Sequence, residues 1–178
     1  MAQVAVQPEF SRPLEVGKAA STPFAISMAA DAAECAALGR RFDIPAVESL
    51  SAELVLAWDA GRRCLALTGR LRAKVVQTCV VSLEPIGAEV DVPLQRFYTA
   101  DAPVETAEEL EFDPEAEDPP DLIVGGVIDA GEAVAEQLAL SLDPYPRRPE
   151  ATLPAEYDAS TESRESPFAV LRRLTRPN

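Results

Sequence analysis

The sequence predicts an α+β fold in which an antiparallel β-sheet meander is packed by two or three helices. Three stretches that alternate apolar and polar residues predict consecutive strands over residues 50–58, 64–81 and 88–98. Short turn-forming stretches separate these strands, which favours antiparallel neighbours. Two Asp-x-x-Glu patterns predict the starts of the main helices. A long acidic loop interrupts the chain between the sheet and the second helix.

The two main helices are predicted over residues 31–41 and 129–142. Each is predicted to begin with a capping box, which needs an aspartate and a glutamate three residues later. The aspartate side chain accepts a hydrogen bond from the backbone N–H of the glutamate, and the glutamate side chain accepts one from the backbone N–H of the aspartate. The two pairs are Asp31 with Glu34 and Asp129 with Glu132. Apolar residues recur through the second helix at the spacing that indicates a core-facing stripe. They are Val134, Leu138 and Leu142.

The domain organisation follows from these elements. Residues 1–149 are interpreted as a single α+β domain, and residues 150–178 as a linker followed by a short basic helix. That last helix is predicted to open at Ser166 and Pro167, since a serine cap followed by proline is typical of helix starts. It carries Arg172 and Arg173.

The acidic charge of the protein is concentrated in one part of the chain. The formal net charge is −14, yet residues 84–136 carry sixteen acidic side chains and one basic side chain. The densest part is residues 99–121, with ten acids, no base and four prolines. This acidic segment repels itself and can bury little apolar surface, so it is predicted to be a flexible, solvated loop.

The composition excludes several classes of function. The chain has no histidine, which excludes a Ser-His-Asp triad, a Cys-His pair and a histidine-bearing zinc site. Gly125 and Gly126 precede the second helix without the Lys-Ser/Thr of a phosphate-binding loop. We therefore expect a protein that is not an enzyme and that has no cofactor and no metal.

The same features bear on location and partners. The three cysteines suit a reducing compartment, and the sequence shows neither a secretory signal nor a stretch that would span a membrane. We expect a cytoplasmic protein without membrane contact. Binding to DNA is not expected, because the overall charge is strongly negative.

A row of cations lies on one face of the second predicted strand. The two-residue period places Arg70, Arg72 and Lys74 about 6.6 Å apart on that face, and Arg62 and Arg63 at the preceding turn extend the group. This cationic row (Arg70, Arg72 and Lys74) suits contacts with phosphate groups. It equally suits a solvated strand face that pairs with acidic residues across the sheet. A hairpin centred near residue 60 would place Arg70 and Arg72 opposite Ser51 and Ser49. Glu53 and Glu48 would then lie close enough to pair with the row. The sequence alone leaves both interpretations open.

The basic C-terminal residues also have two interpretations. Arg172 and Arg173 could dock on RNA or protein. Alternatively, they belong to an amphipathic chain end that packs Phe168 and Leu171 on the core.

Four stretches together resemble a known family. They are AECAALGRRF (33–42), QTCVVSLEPI (77–86), IDAGEAVAEQLALSLDPYPR (128–147) and SPFAVLRRL (166–174). Their order and spacing resemble the YceD family, the large ribosomal RNA subunit accumulation proteins, in the form found in alphaproteobacteria. The most specific residues are those of the Cys-x-x-x-Leu-Glu-Pro turn and the Asp-x-Gly-Glu helix start. They are Cys79, Leu83, Glu84, Pro85, Asp129, Gly131 and Glu132.

The resemblance implies a non-enzymatic factor of bacterial ribosome biogenesis. Such a factor supports accumulation of the large-subunit (23S) rRNA by binding it or its precursor. The alternative is a protein–protein module whose acidic segment docks on a basic ribosomal protein. Many members carry a second cysteine where this chain has Ser82, and a single thiol without histidine does not build a tetrahedral zinc site.

Overall fold

A computed structural model describes residues 8–18, 22–100 and 119–152 of the chain. In this part of the chain the elements are β1 (Pro13–Glu15), a 3-10 helix (Val16–Lys18), β2 (Phe24–Ala29), α1 (Ala32–Arg41), β3 (Ala46–Asp59), β4 (Cys64–Thr78), β5 (Pro85–Thr99), β6 (Asp121–Leu122), β7 (Val127–Asp129) and α2 (Ala130–Ser141). Most of the acidic segment and the basic C-terminal residues, Arg172 and Arg173 among them, lie outside the described residues.

The predicted fold class is confirmed. The strands β2, β3, β4, β5 and β6 form a five-stranded sheet in that order. All neighbours in it are antiparallel except β5 and β6, which pair in parallel through Tyr98 with Asp121 and Thr99 with Leu122. A separate two-stranded sheet joins β1 to β7. The helix α1 packs on β3, and α2 packs on β4 and β5.

The predicted alternation of β4 is also confirmed. Leu67, Leu71, Ala73 and Val75 are buried in the core, whereas the cationic row on the other face is exposed. The same face of β3 contributes buried leucines and an alanine at alternate positions. The alternation fails at Trp58, which is predicted to share the buried face but is half exposed near the end of β3.

Three details of the sheet differ from the sequence prediction. The strand β2 was not predicted, although it forms an edge of the large sheet. The second predicted strand is too long, because β4 ends at Thr78 and Cys79 begins a turn. The hairpin register differs by two residues: Arg70 lies opposite Glu53 and Arg72 opposite Ser51, since the turn has four residues between Asp59 and Cys64.

The carboxylate of Asp129 joins the chain's beginning to α2. Its Oδ1 accepts hydrogen bonds from the backbone of Gly131 and Glu132, which caps the helix. The same carboxylate accepts bonds from the Ser11 hydroxyl and from the Arg12 backbone nitrogen, 2.7 Å away. One side chain therefore fixes both the start of α2 and the path of the segment before β1.

Gly131 is required at this junction because the backbone of the N-terminal segment passes against it. A Cβ atom at Gly131 would overlap the carbonyl oxygen of Phe10 and lie 2.9 Å from the backbone nitrogen of Arg12. Phe10 itself is fully buried in the core. The glycine therefore allows a close approach that no other residue would permit.

Ion pairs tie the two helices to this segment. Arg12 donates two hydrogen bonds to Glu34, at 2.7 and 2.9 Å, and Glu34 also completes the predicted capping box with Asp31. The hydrogen bond from Arg12 lowers the pKa of Glu34. The second predicted capping box is only half formed: Asp129 caps α2, but Glu132 forms a two-pronged ion pair with Arg41 of α1, at 2.6 and 2.8 Å.

Replacing Gly131 should test the junction. In most helix interiors alanine is more stabilising than glycine, but Gly131→Ala should lower the free energy of unfolding by about 1–3 kcal/mol because the added methyl group overlaps backbone atoms. Gly87→Ala is the matched control, since a Cβ there meets no atom within 4 Å. It should leave stability unchanged or raise it by up to about 1 kcal/mol. Urea unfolding of both variants measures this, and equal stabilities would contradict the proposed overlap.

Candidate nucleic-acid interface

The cationic row lies on the face of the large sheet opposite the two helices. Arg70, Arg72 and Lys74 project from β4 with 53, 61 and 60% of their side chains exposed. The strand holds the three groups in a line, as the sequence predicts. The row is therefore accessible to a ligand from solvent.

Each member of the row has an acidic partner on β5. Asp91 accepts a 2.5 Å bond from Nε of Arg70 and lies 3.6 Å from Nε of Arg72, and Glu89 lies 3.2 Å from Nζ of Lys74. The hydrogen bond from Arg70 lowers the pKa of Asp91. These pairs are exposed, so each contributes little to stability.

The charges on this part of the face are balanced. Glu53, which lies opposite Arg70 on the neighbouring strand β3, is also exposed. Together with Asp91 and Glu89, it gives three carboxylates beside the three cations. Glu48, which was expected to pair with the row, instead falls in an irregularity of the β3–β4 register between Val47 and Ser49. The row is therefore a set of paired cations rather than a surface of high positive potential.

A small cleft lies beside the row. It has a volume of about 200 Å³. Arg70 and Arg72 line it together with Ser27 of β2 and Ser51 of β3. Guanidinium and hydroxyl groups are the donors that most often contact phosphate oxygens. The contribution of Ser27 was missed, because β2 was not predicted.

The turn between β3 and β4 brings Arg62 to the same face. Asp59 accepts bonds from the backbone of Gly61 and Arg62 and so closes the turn. The Arg62 guanidinium then stacks on the ring of Phe97, 4.2 Å from its centre. Arg63 occupies the turn at a positive φ of 55°. The stacking partner Phe97 has no sequence signal that would distinguish it from an ordinary strand residue.

The Cys-x-x-x-Leu-Glu-Pro residues form a tight turn between β4 and β5. The Cys79 backbone nitrogen donates to Glu84, and the Cys79 carbonyl accepts from Leu83, at 2.8 and 2.9 Å. Leu83 has a φ of 59°, which is rare for a leucine, and its side chain is 76% exposed. Pro85 then begins β5.

This turn holds the chain that follows α2. Glu84 pairs with Arg148, and the backbone nitrogen of Val80 donates to the Pro146 carbonyl at 2.9 Å. The buried amide of Gln77 donates to the carbonyl of Asp143 at 2.8 Å. Two stretches that are far apart in sequence are thus joined by these contacts.

Cys79 is fully buried, and its thiol accepts hydrogen bonds. The Ser82 hydroxyl beside it and the backbone N–H groups of Ser82 and Arg148 lower the pKa of Cys79 to about 6, against the opposing effect of burial. The Ser82 nitrogen lies 3.3 Å from the sulfur. The Ser82 hydroxyl is buried and makes no hydrogen bond of normal geometry. Within residues 8–18, 22–100 and 119–152, no three His, Cys, Asp or Glu side chains are grouped to hold a metal.

The fold and face described above define an α+β protein with an open, ionic sheet surface. The model of the YceD family, described as large ribosomal RNA subunit accumulation protein YceD, matches residues 67–175. The match covers more than half of the chain, so the chain belongs to this family. Membership supports a role in ribosome biogenesis, and the description names an accumulation factor rather than an enzyme.

The other comparisons add no relative. No curated protein and no solved structure matches the chain. Among the described helices, none is long and apolar enough to cross a membrane.

Thiolate absorbance should reveal the environment of Cys79. Burial raises the pKa of Cys35 and of Cys64, so a transition near pH 6 should come from Cys79 alone. Ser82→Ala should move this transition to higher pH, and Cys79→Ala should abolish it. Because the folded pKa lies below the usual value of 9.0, stability relative to Cys79→Ala should increase from about pH 6 to 9. A flat difference over this range would contradict the shift.

Proposed function

We propose that this protein binds large-subunit rRNA or its precursor during ribosome assembly in the cytoplasm. The observation that supports this proposal most directly is the match to the rRNA accumulation family over residues 67–175. The face of the sheet supplies suitable chemistry, because Arg70, Arg72 and Ser51 present phosphate-binding donors along rigid strands. The turn residues Arg62 and Arg63 extend this surface in the proposal.

The proposed contact works by exchange of anions. In the free protein, Asp91 and Glu89 neutralise the row. A phosphate backbone that reaches the row replaces these carboxylates as the partner of Arg70, Arg72 and Lys74. Since exposed pairs of this kind are weak, the exchange costs little. It also limits the affinity, so the row contributes positioning rather than base recognition.

Substitutions in the row should weaken RNA binding. The triple variant Arg70→Ala, Arg72→Ala, Lys74→Ala should reduce affinity for fragments of large-subunit rRNA at least about tenfold. The slope of log affinity against log salt concentration should fall in magnitude by roughly 2, because three phosphate contacts are lost. Filter binding at several salt concentrations measures both quantities.

Asp91→Asn is a matched variant that should change RNA affinity in the opposite direction. It removes the carboxylate that competes for Arg70 and Arg72, so RNA binding should become stronger while the unfolding free energy changes by less than about 1 kcal/mol. If the triple variant binds RNA as well as the wild type and Asp91→Asn binds no more tightly, the row does not contact RNA and is an ordinary solvated strand face.

The second candidate function is capture of a basic ribosomal protein. The observation that favours it is the acidic segment, which has nine carboxylates within residues 101–118. Strongly acidic chains attract basic partners and repel nucleic acid.

Replacing residues 101–118 with a neutral Gly/Ser linker separates the two candidates. We expect binding of rRNA fragments to stay equal or become stronger, because nine negative charges are removed. Retention of purified large-subunit ribosomal proteins on the immobilised variant should be unchanged. Loss of this retention with intact RNA binding would instead support the protein-capture function.

A further inference from the structure

An open groove lies between α1 and the segment that leads into β3. Its volume is about 690 Å³. The lining is mainly small and aliphatic and includes Ala32, Ala36, Gly39, Ile44, Val47 and Thr78. The charged groups of the lining are Arg40 and Asp43, one of each sign. The groove is thus an open surface, slightly more apolar than polar, that no described element covers.

The described chain passes close to this groove after α2. Gln77 and Val80, on either side of Thr78, hold the segment after α2 through the carbonyls of Asp143 and Pro146. Thr78 itself lines the groove. The chain continues for six residues beyond Pro146 to Thr152, the last residue of the described part. The remaining residues therefore start within about 20 Å of this contact.

The tethered chain contains a segment of suitable chemistry. In the helix that the sequence predicts for residues 166–174, Phe168, Val170, Leu171 and Leu174 would lie on one arc and the two arginines on the opposite arc. Thirteen residues, 153–165, separate this C-terminal segment (residues 166–174) from the described chain. Fully extended, they span about 45 Å. This exceeds the roughly 30 Å diameter of a small domain, so the C-terminal segment is long enough to reach the groove.

We propose that the groove beside α1 is the docking site of the C-terminal segment of the same chain. An amphipathic helix that lays its apolar face into a groove is a common mode of recognition. The small side chains of Ala32 and Ala36 leave room for Phe168 and Leu171. A tethered segment has an effective concentration in the millimolar range, so weak intrinsic affinity is sufficient.

The docking has a consequence for the basic residues. With Phe168 and Leu171 in the groove, Arg172 and Arg173 project away from α1 and present a fixed pair of cations. The docking requires no RNA, so it can be tested in the absence of any ligand, and its failure would leave the RNA-binding proposal untouched.

Hydrogen–deuterium exchange of the full-length protein tests the docking. In the wild type, amides of residues 166–174 should exchange at least about tenfold more slowly than in an unstructured chain. Ala36→Trp fills the groove and should remove this protection. Ala33→Trp is the matched control, because Ala33 is an exposed alanine of α1 that does not line the groove. It should leave the protection unchanged.

A second variant avoids any effect on the folded core. Phe168→Ser, outside the described core, should also remove the protection of residues 166–174 and speed the exchange of the α1 amides. Unprotected residues 166–174 in the wild type would overturn the proposal, as would equal effects of Ala33→Trp and Ala36→Trp. Protection that increases with protein concentration would also overturn it, because a second copy would then supply the segment.

Discussion

The carboxylate of Asp129 is the interaction on which the arrangement of the fold depends. It caps α2 and holds Ser11 and Arg12 at the same time. Arg12 in turn binds Glu34, which completes the cap of α1. The starts of both helices and the first strand are thus linked through one connected set of hydrogen bonds. The motif Asp-x-Gly-Glu at residues 129–132 is therefore explained by architecture, with no need for a ligand.

The ion pairs on the surface of the sheet differ from this interior network in how far they are shielded from solvent. The Arg12 and Arg41 pairs are two-pronged and partly shielded, so they fix geometry. The row on β4 makes exposed contacts with Asp91 and Glu89, which solvent and salt weaken. Similar residue types thus serve two purposes, and the degree of burial decides which. In the proposed function, these exposed pairs are the ones that a phosphate group replaces.

The features that could be predicted from the sequence are those that local periodicity controls. The alternation in β3 and β4 predicted their buried faces, and the capping pattern predicted both helix starts, because these signals involve residues close in the chain. The edge strand β2 was missed, since Phe24–Ala29 has no clear alternation of polar residues. The register of the row was wrong by two residues because turn length decides it. The Arg41–Glu132 pair joins residues far apart, which no local pattern encodes.

The parallel pairing of β6 with β5 brings the two ends of the acidic segment together. Tyr98 pairs with Asp121 and Thr99 with Leu122, and the Ile123 nitrogen bonds the Thr99 carbonyl. Backbone pairing of the described residues on either side is thus enough to hold the two ends together. Doubling the length of a closed loop costs only about 0.6 kcal/mol. Evolution can therefore lengthen, shorten or recharge this insertion almost independently of stability, which makes it the part of the chain best suited to divergence.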